Sequence, residues 1–222
     1  MKSKVRSIVS KANSRLTVKF AAIILASSTL LSSLLGFLRD RVLNSYYLDS
    51  YPDGIDAYTV AFTIPDFMFF ILVSGALSVT FIPVFNQRMA NRNKKSGWEL
   101  SSSVLNLLAL LTLVTSVLII IFAEPLVKYI VGPGLSESSR SLAISMMRVI
   151  AINPFLFAIA TVLTSIQQAI GRFTFSALAP AIYNIGIIIG TVFFTNGINI
   201  FGVQVFEGGI MGVAIGVAFG SV

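Results

Sequence analysis

Long apolar segments, separated by short polar stretches, run along almost the whole chain. Six of them stand out, at about residues 20–45, 56–85, 101–122, 142–170, 175–194 and 209–222. A helix needs about 20 predominantly apolar residues to cross a bilayer. The sixth segment is still apolar at Val222, where the sequence stops. The pattern predicts an all-α polytopic membrane protein with about six transmembrane helices, the last of them incomplete.

Two of these segments carry a polar stripe along an otherwise apolar helix. Small or polar residues recur every three or four positions and therefore share one helical face. The first stripe is Thr29, Ser32, Ser33, Gly36, Arg39, Asp40 and Asn44. The second is Asp56, Thr59, Thr63, Asp66, Phe70, Ser74 and Ser78. Such a stripe indicates either close helix packing through small residues or the lining of a water-filled cavity, and the charged residues favour the cavity.

The charged and amide residues inside the spans are the candidate functional residues. Arg39 and Asp40 each cost roughly 2.5–3.5 kcal/mol on insertion scales unless they face protein or water. Asp66 lies about 15 Å along its helix from Asp56, at a depth similar to that of Arg39, so a pairing of Arg39 with Asp66 is a hypothesis. In the fourth span, Arg148 either snorkels to the interface or faces the same cavity. The fifth span adds Asn184.

Proline and glycine residues mark breaks in the helical pattern. We expect kinks at Pro65 and at Asn153–Pro154. Gly132–Pro133–Gly134 ends the third span, and Ser136 is a candidate N-cap for the next helix. Gly171–Arg172 forms a very short turn between the fourth and fifth spans.

The charges follow the ends of the apolar segments. The chain is 55% hydrophobic and 11% charged, with a net charge of +7. Residues 1–19 hold six Lys and Arg, residues 46–55 hold none, and residues 88–95 hold four. Because basic residues accumulate on the cytoplasmic side, we expect a cytoplasmic N-terminus, with residues 1–19 as a basic region on anionic lipid and residues 20–222 as the helical bundle. This distribution argues against nucleic-acid binding.

The sequence carries no constellation typical of an enzyme. It has no Cys and no His, and it lacks a metalloprotease motif and a phosphate-binding glycine loop. We therefore expect no enzyme activity, no catalytic residue, no cofactor and no metal site.

Three spaced motifs resemble the MurJ/MviN family of lipid II flippases. They are residues 33–40 (SLLGFLRD), 55–65 (IDAYTVAFTIP) and 75–85 (GALSVTFIPVF). The turn at residues 171–173 (GRF), followed by Ala179–Pro180 and Asn184, also matches the family.

The resemblance implies fourteen spans in two bundles of six plus two extra helices, of which this chain holds about the first bundle. It also implies a central cationic cavity that binds the diphosphate of the undecaprenyl-linked peptidoglycan precursor and moves it outward by alternating access. Arg39 and Asp40 match a functional Arg-Asp pair of the family, Asp56 matches its acidic residue, and Arg148 falls close to a position that is often basic. The chain departs from the family at three positions, which usually hold a basic residue, an arginine and a glutamate: Ser33, Phe69 and Ser74.

The leading prediction is a lipid II flippase of the bacterial cytoplasmic membrane. It would act as a monomer on lipid II or a similar precursor, among membrane lipids. The predicted cavity residues are Arg39, Asp40, Asp56, Asp66, Arg148 and Asn184. The alternatives are an exporter of another polyprenyl-linked saccharide or of a small cation, and a non-transporting scaffold of envelope assembly. The coupling ion is left open.

Overall fold

The computed structural model describes residues 18–47, 52–74, 81–90, 94–195, 197–200, 203–206 and 208–221. Within these ranges the chain forms helices joined by short turns, together with one small hairpin. The helices are α1 (Val18–Tyr47), α2 (Pro52–Phe69), α3 (Ile82–Ala90), α4 (Lys94–Leu126), α5 (Glu137–Ile150), α6 (Asn153–Ala169), α7 (Thr174–Phe194) and α8 (Met211–Gly220). Two π-helical turns extend α2 and α4, over Phe70–Ser74 and Val127–Val131.

Five helical segments of the described chain are long and apolar enough to cross a membrane. They are Ile23–Tyr47, Gly54–Val73, Lys95–Val131, Glu137–Ala169 and Ala177–Phe194. The prediction of an all-α polytopic membrane protein is therefore confirmed. The apolar patterns gave no hint of the antiparallel hairpin between α7 and α8, made of β1 (Ile198–Ile200) and β2 (Val203–Phe206). We call the end of the bundle that carries this hairpin the hairpin end.

The fourth predicted span consists of two helices, α5 and α6, which meet at a turn. Ala151 and Ile152 form the turn, and Pro154 lies in the first turn of α6, where the missing N–H of proline leaves no bond unmade. At the other end of α5, the Ser136 side chain accepts a hydrogen bond from the Ser139 N–H at 3.2 Å. The cap at Ser136 is confirmed, and the kink predicted at Asn153–Pro154 is a turn that divides the span into two helices.

The connection between α3 and α4 is shorter than the apolar pattern indicates. Hydropathy predicts that the third span starts at about residue 101, whereas α4 begins at Lys94 and α3 continues to Ala90. A helix continues through its own hydrogen bonds after its side chains become polar, so hydropathy underestimates its length. Arg88 links the two helices by donating to the Ser96 carbonyl at 3.2 Å.

Among the described residues, the buried apolar side chains form two clusters. The larger one joins α2 to α5 and α8, and includes the buried residues Ala61, Met147 and Val213. The smaller one lies where α2, α3, α4 and α6 meet, around the buried Phe85. Because α7 packs closely against both α1 and α8, it fixes the polar stripe of α1 in the bundle.

Candidate functional site

The polar stripe of α1 packs in part against α7. Ser28 Oγ donates to the Ala177 carbonyl. Asn184 Nδ2 donates to both the carbonyl and the Oγ of Ser32, at 3.3 and 3.2 Å. A Cβ atom on Gly36 would lie 3.9 Å from Asn184 Oδ1, an ordinary contact. Ser28, Ser32 and Gly36 therefore form a helix-packing seam, as small residues do inside membranes.

The stripe reaches a cavity at Arg39. The Arg39 guanidinium donates through Nε and Nη2 to Asp40 Oδ1, at 2.9 and 2.8 Å. Its Nη1 donates to Asn184 Oδ1 at 3.2 Å. The stripe thus does both things that its composition suggested: its first half packs against α7, and its charged end faces open space.

Asn184 holds the guanidinium in place because its own orientation is fixed. Its Nδ2 donates to the Pro180 carbonyl at 3.1 Å as well as to Ser32. An amide whose nitrogen is bonded on one side must present its oxygen on the other. The buried Asn184 therefore connects the packing seam to the charge of Arg39.

Some N–H donors of Arg39 are not used in hydrogen bonds to the described residues. A guanidinium has five N–H donors, and three of them are used, two by Asp40 and one by Asn184. One N–H on each Nη atom thus has no partner in the described part of the chain. The Arg39 side chain is 26% exposed and that of Asp40 is 59% exposed. Arg39 is therefore a half-buried, oriented cation that can still bind an anion.

A cavity of about 400 Å³ lies beside Arg39, between α1, α2 and α7. It is lined by Arg39, Tyr58, Thr59, Phe62, Thr63, Asp66 and Tyr183. The polar stripe of α2 contributes Thr59, Thr63 and Asp66 to the cavity lining. The hydroxyls of Thr59 and Thr63 donate hydrogen bonds to backbone carbonyls of their own helix.

Arg39 and Asp66 share this cavity, as their similar depths indicate, but they do not form the hypothesised ion pair. Within the described ranges the carboxylate bonded to Arg39 is that of Asp40, at 2.8 Å. Depth along two helices fixes only one coordinate, whereas a pair also requires the side chains to reach each other. Asp40 adjoins Arg39 in sequence and satisfies it first. The described cavity therefore carries both signs of charge.

An aromatic wall separates this cavity from a second space of about 410 Å³. Phe157 lies edge-on to Tyr183, with ring centroids 5.2 Å apart, and to Phe69 at 5.5 Å. Tyr183 lines both spaces. Phe69, at a position where the resemblance implies an arginine, is thus part of an aromatic cluster.

Two of the predicted site residues lie away from this cavity. Asp56 is exposed near the start of α2, and it is not among the residues that line the space. Arg148 is exposed on α5, whose buried face is formed by Ala143, Met147 and Ile150. Arg39, Asp40, Asp66 and Asn184 gather at or next to one cavity, whereas Asp56 and Arg148 lie outside it.

The sequence analysis missed the two tyrosines of the cavity. Tyr183 immediately precedes Asn184, and Tyr58 precedes the stripe residue Thr59, so both sit at the edge of a polar face. Their position at the edge of a polar face was the feature of the sequence that could have identified them as cavity residues. Within the described residues, no group of three or more carboxylates is arranged to hold a metal ion.

Comparisons with known proteins identify the family of the chain. The family model for the lipid II flippase MurJ matches residues 53–222. The lipid II flippase MurJ of Thermosipho africanus is 29% identical over 79% of this chain and 36% of its own length. A probable lipid II flippase MurJ of Rickettsia prowazekii is 30% identical over 82% of this chain and 35% of its own length. The chain thus spans about a third of the length of these curated relatives.

Solved structures show the same fold. A lipid II flippase MurJ in an inward closed conformation superposes with a TM-score of 0.63 and 30% identity, over 90% of this chain and 39% of that one. A MOP superfamily transporter from Pyrococcus furiosus superposes with a TM-score of 0.70 over 93% of this chain and 43% of that one. At 20% identity the latter shows the fold alone. On the family match over residues 53–222, the chain belongs to the lipid II flippase MurJ family.

Proposed function

We propose that the protein takes part in moving lipid II, the lipid-linked peptidoglycan precursor, from the inner to the outer face of the bacterial cytoplasmic membrane. The observation that carries the proposal is the half-buried Arg39, oriented by Asn184 and Asp40 beside a cavity, in a chain of the MurJ family. Transport would consist of binding and release of the cargo, and no covalent bond of the cargo would be broken.

The diphosphate of the cargo would meet Arg39 on its free side. Charge-assisted hydrogen bonds from a guanidinium to phosphate are short and strong, and both Nη atoms have a donor in reserve. The carboxylate of Asp66, which lines the same cavity, would repel the negative charge of the diphosphate. A bound diphosphate would therefore be held mainly by one edge, which suits a carrier that must also release it.

Transport would follow alternating access, with the bundle rocking against a second one and exposing the site to each face in turn. The break between α5 and α6 and the π-helical turn at Phe70–Ser74 are candidate points of flexure. The clusters of basic residues favour an orientation with the N-terminus in the cytoplasm and the hairpin end outside. Under this proposal the protein is a monomeric transporter and not an enzyme.

One observation favours a second cargo. Phe69 packs against Phe157 and lines the second space, so an aromatic side chain stands at a position where the resemblance implies an arginine that could bind phosphate. Another polyprenyl-linked saccharide would use Arg39 for its diphosphate in the same way, with a different sugar beyond it.

The test is the exposure of precursor on the outer face of the membrane, measured with an impermeant probe after the chromosomal gene is depleted. Complementation with the intact gene should restore exposure, whereas Arg39→Gln should lower it about tenfold, the effect of losing one or more hydrogen bonds to a charged group. Arg41→Gln is the matched control, because Arg41 is an exposed cation on the same helix that does not line the cavity. Normal exposure of lipid II without the protein would refute the proposal, and loss of a different saccharide lipid would favour the second cargo.

A further inference from the structure

A second charged pocket lies at the hairpin end of α4 and α5, away from the Arg39 cavity. It has a volume of about 280 Å³ and is lined by Glu124, Lys128, Glu137, Arg140, Ser141 and Ile144. Its lining thus holds two carboxylates and two cations, so its formal charge is zero. Nothing in the proposed transport cycle uses these residues.

Part of the pocket is already organised by internal bonds. Arg140 Nη1 donates to Glu137 Oε2 at 2.7 Å, and Nη2 donates to the Leu135 carbonyl at 3.0 Å. These two contacts fix a guanidinium whose side chain is only 20% exposed. Its buried Nε has no partner among the described residues. Arg140 is therefore held rigidly with donors left over.

The other two charges form no ion pair with any residue that the structure describes. Glu124 and Lys128 are four residues apart on one helix, yet among the ion pairs of the described chain neither has a partner within 4 Å. Lys128 Nζ lies 5.4 Å from the centre of the Tyr129 ring. The pocket thus offers one free carboxylate and one free ammonium, beside a guanidinium with spare donors.

The surroundings of the pocket are apolar. Ile121 is 61% exposed, Phe122 51%, Tyr129 69% and Ile130 64%, all on the same helical segment as Glu124 and Lys128. Tyrosine side chains concentrate at the level of lipid headgroups, and the exposed aliphatic side chains beside Tyr129 suit contact with acyl chains. A ligand of this pocket would therefore lie at the boundary between headgroups and acyl chains.

We propose that this pocket binds the headgroup of a zwitterionic phospholipid that carries a primary ammonium, that is, a phosphoethanolamine headgroup. Arg140 and Lys128 hold the phosphate, and Glu124 accepts hydrogen bonds from the ammonium. A simple anion would face the two carboxylates, and a simple cation would face Arg140 and Lys128. A headgroup with both charges matches both sets, and its acyl chains lie along the apolar flank.

The chemistry also separates ethanolamine from choline. A primary ammonium donates hydrogen bonds to a carboxylate, whereas a trimethylated one has no N–H to donate. Since hydrogen bonds to charged groups are the stronger kind, Glu124 is the residue that selects between the two headgroups. The proposal requires only that the helices cross a membrane, and so stands independently of the transported cargo.

Native mass spectrometry of the purified protein tests this, in micelles that contain equal amounts of phosphatidylethanolamine, phosphatidylcholine and phosphatidylglycerol. The protein should retain phosphatidylethanolamine about tenfold better than the other two. Glu124→Gln should abolish the preference over phosphatidylcholine, and Lys128→Gln should weaken retention of all three lipids. The matched control is Glu99→Gln, which removes an exposed carboxylate near the opposite end of α4, 3.9 Å from Lys95, and should change nothing.

Several outcomes would overturn the proposal. They are equal retention of the three lipids by the unaltered protein, a preference for phosphatidylglycerol, and a preference for phosphatidylethanolamine over phosphatidylcholine that survives Glu124→Gln. Circular dichroism of each variant distinguishes loss of binding from loss of fold. A misfolded Lys128→Gln variant leaves the test to Glu124→Gln, which replaces an exposed side chain.

Discussion

Replacing Gly216 by alanine should loosen the bundle at the seam between α7 and α8. A Cβ atom at this position would lie 2.6 Å from Gly190 Cα and 2.7 Å from the Gly186 carbonyl oxygen. Carbon atoms in contact lie about 3.5–4.0 Å apart, so the two helices would have to separate by roughly 1 Å. The obstructing atoms belong to the backbone and cannot rotate aside.

The size of the effect follows from two opposing contributions. Overpacking costs about 1–3 kcal/mol, and a rigid backbone contact lies at the upper end of that range. Alanine recovers up to about 1 kcal/mol through its higher helix propensity. The net loss is therefore about 2 kcal/mol, which corresponds to a fall in Tm of about 4–8 °C for a chain of this size.

Thermal unfolding in detergent, followed by circular dichroism, measures this fall. Gly134→Ala is the matched control, because a Cβ atom on Gly134 would meet nothing within 4 Å, and its Tm should stay within about 1 °C of the parent value. A Gly216→Ala variant as stable as the parent protein, or more stable, would refute the close helix contact and the packing argument built on it.

Three other substitutions have defined outcomes. Asn184→Ala removes the acceptor that lies 3.2 Å from Arg39 Nη1 and should lower precursor exposure about tenfold at equal protein level, whereas unchanged exposure would show that Arg39 needs no positioning. Tyr47→Phe leaves the Thr195 hydroxyl and the Gly209 carbonyl without their buried partner and should destabilise the fold by about 1–3 kcal/mol in denaturant titrations. Ser136→Ala removes the cap of α5 and should cost about 1 kcal/mol in the same titrations, with no loss of transport.

The apolar pattern along the chain predicted most of the fold, because a membrane helix must satisfy its own backbone and therefore stays long and apolar. The kink at Asn153–Pro154 and the cap at Ser136 were predicted from single residues, because each depends on the chemistry of one side chain. The apolar pattern missed the hairpin between α7 and α8, whose backbone pairing follows from the way two chain segments meet at the end of the bundle. The start of α4 at Lys94 was missed because hydropathy identifies the apolar residues that lie in the membrane, whereas the helix continues beyond them into polar residues.

The sequence could predict which residues of the candidate site share a helical face, but not what each part of that face contacts. Periodicity placed Ser32, Gly36 and Arg39 on one side of α1, but it could not divide that side into a seam against α7 and a cavity. The division depends on Asn184, which is 145 residues away from Arg39 in sequence. Pairing Arg39 with Asp66 from depth alone failed for the same reason, since depth does not determine the rotation of one helix relative to another.

The proposed binding of a lipid-linked diphosphate by Arg39 can be measured as equilibrium binding of undecaprenyl diphosphate to the purified protein. Arg39→Gln should weaken binding roughly ten- to a hundredfold, the equivalent of losing charge-assisted hydrogen bonds worth about 1.5–3 kcal/mol. Arg41→Gln, which removes an equal charge two residues away outside the cavity, should bind as the parent protein does. Equal affinity in the parent protein and both variants, or an equal loss in both variants, would contradict the assignment of Arg39 as the diphosphate-binding residue.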